Sequence, residues 1–309
     1  MIRLLFSRLF QGAITLLVLV TITFFLVRAM PGSPYTEEKA IPEHALGRLK
    51  AYTGLDQPMH VQYGRYLKNL IVHRDMGDLL KRDGVKVSEV IRESFPVSFA
   101  LGMVSMGISL LIGIPAGVVA AVRKNSGWDK VLLAGSMTGI CLPAFVIAPL
   151  LAVGFGLGFK SLNVAGWSGP VDVILPSLTL GLVHAAYLAR LTRGGMLDVL
   201  NQDFIRTARA KGVPEVKLVI RHALRGGLIP AVAFIGPAFA AIISGSFVVE
   251  TIFQIPGMGQ YFVNAATDRE YLLLQGLVLV YGTLIVAANF LSDLAQIALN
   301  PRLRNESNG

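Results

Sequence analysis

The sequence predicts an all-α, polytopic membrane protein with six transmembrane helices. Of its 309 residues, 53% are hydrophobic and only 15% are charged. Several uncharged stretches approach or exceed the roughly 18–20 residues that cross a bilayer as helix. They alternate with turn-rich polar segments, which argues for helices over a closed barrel. The third observation is charge sidedness. Outside the long segment 31–95, fifteen Lys and Arg fall in alternate connections and termini on one side, against Arg28, Lys160 and Arg269 on the other. That bias places both termini in the cytoplasm. It also accounts for the net charge of +9, which follows membrane sides and does not point to nucleic acid.

The first span is Leu9 to Val27, behind Arg3 and Arg8. Its flank, Val27-Arg28-Ala29-Met30-Pro31-Gly32, lacks the small residues of a cleavage site, so a retained helix is expected. Residues 31–95 carry ten Lys/Arg and nine Asp/Glu, a polar segment long enough to escape the charge rule and lie outside. Within it Tyr63, Tyr66, Leu67, Leu70 and Ile71 have helical spacing. His44, His60 and His73 lack metal-ligand spacing and read as surface histidines. Pro96 is expected to start the second span, to Val122, followed by a short turn with Arg123, Lys124, Trp128 and Lys130. The third span, Val131 to Gly154, contains Pro143, Pro149 and the lone Cys141, a small core residue on this reading. The fourth covers Val173 to Leu191, the fifth Leu228 to Phe253 and the sixth Leu272 to Leu299. The pairs Gly113/Gly117, Gly135/Gly139 and Gly154/Gly158 are small-residue spacings that let helices approach closely. The chain thus divides into a tail and first helix (1–30), an extracytoplasmic segment (31–95) and a five-helix core (96–309) with a cytoplasmic loop at 192–227.

That loop holds a charged island between apolar runs, Asp203 to Pro230. Asp203 is expected to cap a short helix that Gly212 ends in a left-handed conformation. Thr207, Ala208 and Ala210 keep this helix thin enough for another backbone to approach. Pro214 restarts a helix. Val216, Val219, Ile220, Ala223 and Leu224 line one face and Lys217, Arg221 and Arg225 another, an amphipathic basic helix suited to a membrane surface.

Catalytic signatures are missing: there is no G-x-x-x-x-G-K-[ST], H-E-x-x-H or G-x-S-x-G. His184 reads as a packed or hydrogen-bonded histidine. Asp293, near Asn289, is expected to face protein or water, because a carboxylate facing lipid is costly. Glu250 has two readings, a place on a transport route or plain solvation at the interface. The segment Gly245 to Gly259 interrupts an apolar run with three glycines and a proline. Such backbone turns back into protein or lines a cavity, which makes Glu250, Phe253, Pro256 and Gly257 candidates for the outer end of a transport route.

At the island the chain resembles the ABC-transporter permeases of the peptide/nickel import branch. The motifs are Arg206-Thr207-Ala208-Arg209-Ala210-Lys211-Gly212, Arg221-His222-Ala223-Leu224 and Pro230. Pro31-Gly32-Ser33-Pro34, Leu55-Asp56-Gln57-Pro58, Val248 to Phe253, Pro256-Gly257-Met258-Gly259 and Asn300-Pro301-Arg302-Leu303-Arg304 are similar in order and spacing. Tyr35-Thr36 and Phe95-Pro96-Val97-Ser98 are similar to the oligopeptide-importing members.

The resemblance implies the type I importer permease fold and half of a translocation pathway for oligopeptides. It implies a second permease subunit, two ATPase subunits that hold ATP and Mg, and an extracytoplasmic peptide-binding protein, with no cofactor or catalytic site in this chain. It assigns docking on an ATPase to Asp203, Phe204, Ile205, Arg206, Thr207, Ala208, Arg209, Ala210, Lys211 and Gly212. The general importer motif opens Glu-Ala-Ala, where this chain has Arg206, Thr207 and Ala208. Dipeptides, glutathione and nickel chelates are alternative cargoes within the same class. An ion-coupled secondary carrier, a different class, calls for inverted repeats and paired buried carboxylates, and the two halves show no such symmetry.

Overall fold

A computed structural model describes residues 2–30, 54, 56–82, 84–156 and 163–299. The motifs at Pro31–Thr36, Leu55 and Asn300–Arg304, and also His44, Gly158 and Lys160, lie outside the described residues. The described chain is helical, with one isolated antiparallel bridge between Asp78 and Lys86.

In chain order the helices are α1 (Ile2–Ala29), α2 (Met59–Lys68), α3 (Val87–Val122), α4 (Gly127–Cys141), α5 (Ala144–Gly156) and α6 (Ile174–Leu200). Then come α7 (Asp203–Ala210), α8 (Glu215–Leu218), α9 (Leu224–Gly227), α10 (Ile229–Ile252), α11 (Met258–Thr267) and α12 (Tyr271–Leu299). Five segments are long and apolar enough to cross a membrane: Phe6–Ala29, Val87–Val122, Pro170–Leu200, Ile229–Ile252 and Tyr271–Ala298. The third span, expected at Val131 to Gly154, departs from expectation. It is a pair, α4 and α5, bent by 109°. Leu142, preceding Pro143, is extended (φ −88°, ψ 117°), because the proline ring excludes the helical region for the residue before it.

Two more boundaries move. α3 begins at Val87, so Pro96 lies inside the helix and does not start it. At 36 residues α3 is about 54 Å long, well beyond the hydrocarbon thickness, and its first turns carry Glu89, Arg92 and Glu93. α6 likewise continues nine residues past Leu191 to Leu200.

The chain forms two compact units. The first comprises Met1–Phe10, Phe99–Ile255 and Leu284–Gly309. Its centre is α6, which packs on α4, α5, α9 and α10. α3 lies directly against α6 because glycines face it. A Cβ on Gly113 would stand 2.6 Å from the Ala185 carbonyl oxygen, and one on Gly117 2.5 Å from that of Ala189. Ser109 adds a hydroxyl donation to the Gly181 carbonyl at 3.0 Å. By contrast, Gly135 and Gly154 have no atom within 4 Å of a Cβ, so the glycine spacing marks close packing at the first pair and at Gly139, not throughout. α12 meets α10 through Ser292, whose hydroxyl donates to the Val232 carbonyl at 3.0 Å. Asp293 pairs with Arg8 at 3.2 Å. Cys141 is exposed on the unit's surface and is not a core residue; a small apolar side chain is at no disadvantage facing lipid.

The second unit comprises Gln11–Ser98 and Pro256–Thr283. Phe24, Tyr63 and Tyr66 cluster, with the Thr21 and Tyr63 hydroxyls 2.6 Å apart. The Arg28 guanidinium lies over the Phe24 ring and donates to Gln62 Oε1 at 2.9 Å. Tyr66, Leu67 and Leu70 pack as the spacing predicted, but Ile71 is 67% exposed. A π-turn at Asn69–His73 inserts an extra residue and rotates Ile71 off the packed face. His60 and His73 are exposed. The Glu270 carboxylate accepts from the backbone N–H groups of Leu80 (2.8 Å) and Lys81 (2.7 Å), while burial pushes its pKa up.

Candidate functional site

The island folds as a helix, a tight stop and a second helix. α7 starts at Asp203, and Gln202, with extended backbone (φ −77°, ψ 154°), occupies the N-cap. Asp203 therefore does not cap; it is the first helical residue, where its carboxylate meets the positive end of the helix dipole. It lies 3.5 Å from Arg206, one turn on, an exposed pair.

α7 ends in a complete Schellman motif. Gly212 is left-handed (φ 76°), as the sequence predicted. Its N–H donates to the Arg209 carbonyl at 3.0 Å, and the Val213 N–H donates to that of Ala208 at 3.2 Å. Val213 and Ala208 both pack against one core cluster, which supplies the apolar contact usual in this motif. Pro214 follows as the N-cap of α8, its carbonyl accepting from the Leu218 N–H at 2.9 Å.

One side chain anchors α7. Ile205 is fully buried among Ala121, Met196, Val199, Leu218, Val219 and Ala223. Asp203, Phe204, Arg206, Thr207, Arg209, Ala210, Lys211 and Gly212 are exposed, and Ala208 is half-buried. The helix thus presents almost its whole circumference outward while one isoleucine holds its position. Arg209 reaches over the turn to Glu215 with contacts of 2.7 and 3.2 Å. The pair holds the Glu215 carboxyl below, and the Arg209 guanidinium above, its ordinary pKa.

In the second part of the island the buried face is Leu218, Val219 and Ala223. Val216 (72%) and Ile220 (63%) are exposed instead of joining the apolar face that the spacing predicted. The cause is a π-turn at Val219–Ala223, which shifts the helical register by one residue. Lys217, Arg221 and Arg225 are exposed.

A second feature escaped the sequence reading. Arg193 on α6 grips Asp129 near the start of α4 with two bonds, 2.7 and 2.9 Å, and Asp129 is almost completely buried. Asp129 also accepts from the Asn125 N–H at 2.9 Å. Arg193 falls in the segment 192–227 expected as a loop, and nothing in the sequence pairs it with Asp129.

In the other candidate segment, Glu250 is fully buried and accepts from the Ser246 hydroxyl at 2.8 Å, which rules out plain solvation at an interface. α10 ends just beyond it in another Schellman turn, with Gln254 left-handed (φ 53°) and the Ile255 N–H donating to the Glu250 carbonyl at 2.8 Å. Phe253 is buried, and its carbonyl accepts from the Gly166 N–H at 2.9 Å. In the second unit Pro256 is exposed, Gly257 is buried and the Met258 N–H donates to Ser98 Oγ at 2.8 Å. His184 has its Nδ1 2.9 Å from the Leu180 carbonyl in its own helix. Among the described residues no group of three or more His, Cys, Asp or Glu is arranged to hold a metal.

Comparison with known proteins places this architecture. Residues 113–305 match the family model of the binding-protein-dependent transport system inner membrane component, and residues 1–102 match the N-terminal model of such membrane components. The chain belongs to that family: it is a multi-pass inner-membrane permease component of a transport system. It is 41% identical over 306 residues to the oligopeptide transport system permease protein OppB of Salmonella typhimurium, covering 98% of this chain and 100% of that one. It is 40% identical over 309 residues to the dipeptide transport system permease protein DppB of Bacillus subtilis, covering both chains completely. A solved structure of the MetNI methionine ABC transporter in an inward-facing conformation matches with a TM-score of 0.55 and 17% identity, covering 68% of this chain and 96% of that one. This last likeness bears on the fold, the type I importer permease arrangement.

Proposed function

We propose that this chain is half of the translocation pathway of an ATP-driven importer of oligopeptides. A binding protein delivers the cargo outside, a second permease completes the pathway, and two ATPase subunits carry ATP and Mg. Both termini lie in the cytoplasm, residues 31–95 lie outside, and residues 192–227 form the coupling loop within the 96–309 core. The segment Asp203–Gly212 docks on an ATPase, and Glu250, Phe253, Pro256 and Gly257 belong to the outer end of the cargo route.

The observation that carries this reading is the construction of α7. A solvated loop needs neither a buried anchor nor a complete stop motif. Here Ile205 and the Gly212 turn fix an otherwise exposed helix, which suits an element that receives a push and passes it on without bending. Through Val199 and Met196 the push reaches α6, and through Leu218 and Ala223 it reaches α9 and α10.

The test is uptake into vesicles containing this permease assembled with its partner permease and ATPases. Uptake of labelled tetrapeptide should require ATP inside, binding protein outside and the intact α7. Uptake driven by an ion gradient without ATP would overturn the reading. A second cargo has support of its own, because a relative named for dipeptides is as similar over its full length as those named for oligopeptides. Competition between dipeptide and tetrapeptide in the same assay separates the two.

A further inference from the structure

An open, apolar groove of about 350 Å³ lies between the end of α3, the start of α4 and α8. Its walls are Val118, Val119 and Val122 from α3, Trp128 from α4, and Val216, Val219 and Ile220 from the island. Five of these are large apolar side chains left exposed: Val216 and Ile220 as above, with Trp128, Val122 and Val119. A patch of this kind in water would be an association hazard.

The groove continues the exposed apolar stripe of a candidate membrane span. Along α3, Leu111, Pro115, Val119 and Val122 are exposed and recur at helical spacing, opposite the Gly113/Gly117 face packed on α6. The stripe runs off the end of the span into the groove, where Trp128 marks the depth of a membrane–water interface. The charged residues lining the groove are Arg123 and Glu215. Arg123 lines it and stacks at 6.0 Å from the Trp128 ring. Lys217 and Arg221, exposed sequence neighbours of Val216 and Ile220, lie outside the lining. Among the described residues none of these three makes an ion pair. The acid on the rim, Glu215, is already engaged by Arg209.

We propose that this groove seats one acyl chain of an anionic phospholipid, with Arg123 on its headgroup phosphate. The lipid thereby touches the same helix that closes the α7 stop, so the bilayer's anionic content bears on the coupling element. The chemistry requires both halves, an apolar slot continuous with the exposed stripe of the span and, at its rim, the Arg123 cation beside an acid already engaged by Arg209.

The test uses the assembled transporter, with its partner permease and ATPases, in symmetric vesicles carrying a trace of phosphatidylglycerol or phosphatidylcholine with a diazirine on the acyl chain. After irradiation, adducts are mapped by mass spectrometry. Symmetric leaflets make the result independent of the orientation proposed above, and adducts at Leu111 and Leu150 report ordinary membrane embedding. We expect adducts at Val119, Val122, Val216 or Ile220 that favour phosphatidylglycerol by about fivefold, the worth of one cation at a charged surface. Arg123→Gln should bring that ratio down towards unity while leaving the Leu111 adducts unchanged. Groove adducts with no preference for the anionic lipid would overturn the proposal. So would adducts at Leu111 without any in the groove, or groove adducts that appear only in a parallel preparation of the two permeases without the ATPases, which would assign the groove to a protein partner.

Discussion

Arg209 and Glu215 clasp each other across the left-handed turn at Gly212, with the nearest nitrogen and oxygen 2.7 Å apart. Both side chains are about half exposed, so water and salt weaken the contact. Its effect belongs to the local stiffness of the turn and not to the stability of the whole chain. Glu215→Gln and Arg209→Gln should each speed amide exchange at Gly212 and Val213, whose N–H groups close the turn, and the double variant should add little to either. The sign of the pH dependence follows from the depressed Glu215 pKa. Protection is complete above the ordinary value of 4.5 and fades as pH falls below it, once the carboxylate takes up a proton. Glu215→Gln should be insensitive over the same range.

Gly212 itself supports a sharper prediction. It has no atom within 4 Å of a Cβ, so a side chain there meets no steric wall, and the cost is purely backbone. Holding a non-glycine residue in the left-handed region costs about 1–2 kcal/mol, and β-branching raises it. Gly212→Val should leave the bundle assembled yet uncouple ATP hydrolysis from uptake, seen as a fall in peptide transported per ATP. Gly212→Asn, which tolerates the left-handed region, should recover most of the ratio. Normal coupling in the valine variant would count against the rigid-stop account.

Helix number, the α10 and α12 boundaries and the Gly212 stop were legible because each rests on a local rule: the length of an apolar run, or a residue type that a backbone angle demands. The bend at Pro143 was not. Membrane helices tolerate prolines, and Pro149 and Pro237 do sit inside helices here, so a proline in an apolar run does not by itself announce a break. The exposure of Val216 and Ile220 was hidden by a π-turn, which leaves no reliable mark in composition. Ile205 was not recognisable as the anchor because eight residues hold too few turns to define a periodic face. Asp129 and Arg193, 64 residues apart, needed the fold to bring them together.

That pair makes its own prediction. Breaking a buried ion pair from one side leaves a desolvated charge, which typically costs 3–5 kcal/mol. Arg193→Gln leaves the Asp129 carboxylate, 3% exposed, without its cation and should cost about 3 kcal/mol, whereas Asp129→Asn leaves Arg193, 21% exposed, and should cost less. Removing both charges in Asp129→Asn/Arg193→Gln should recover part of the loss. The thermal midpoint of the detergent-solubilised complex gives the comparison. A double variant worse than Arg193→Gln alone would mean that Asp129 matters mainly through the Asn125 N–H and the start of α4.

The glycines supply a paired experiment with opposite expectations. Gly117 faces the backbone of α6, where the contacting atom is the Ala189 carbonyl oxygen and cannot rotate aside. A methyl group there forces the two helices apart along their length. Gly135 is also a small residue in an apolar helix, but it is exposed and a Cβ there meets nothing. Gly117→Leu should therefore abolish a monodisperse assembled complex, and Gly117→Ala should lower its thermal midpoint. Gly135→Leu should change stability by no more than about 0.5 kcal/mol, as a substitution on an open surface does. If both leucine variants behave alike, close packing of α3 on α6 is not what orders the bundle, since both glycines follow an alanine inside an apolar helix and one of them alone faces a neighbouring backbone.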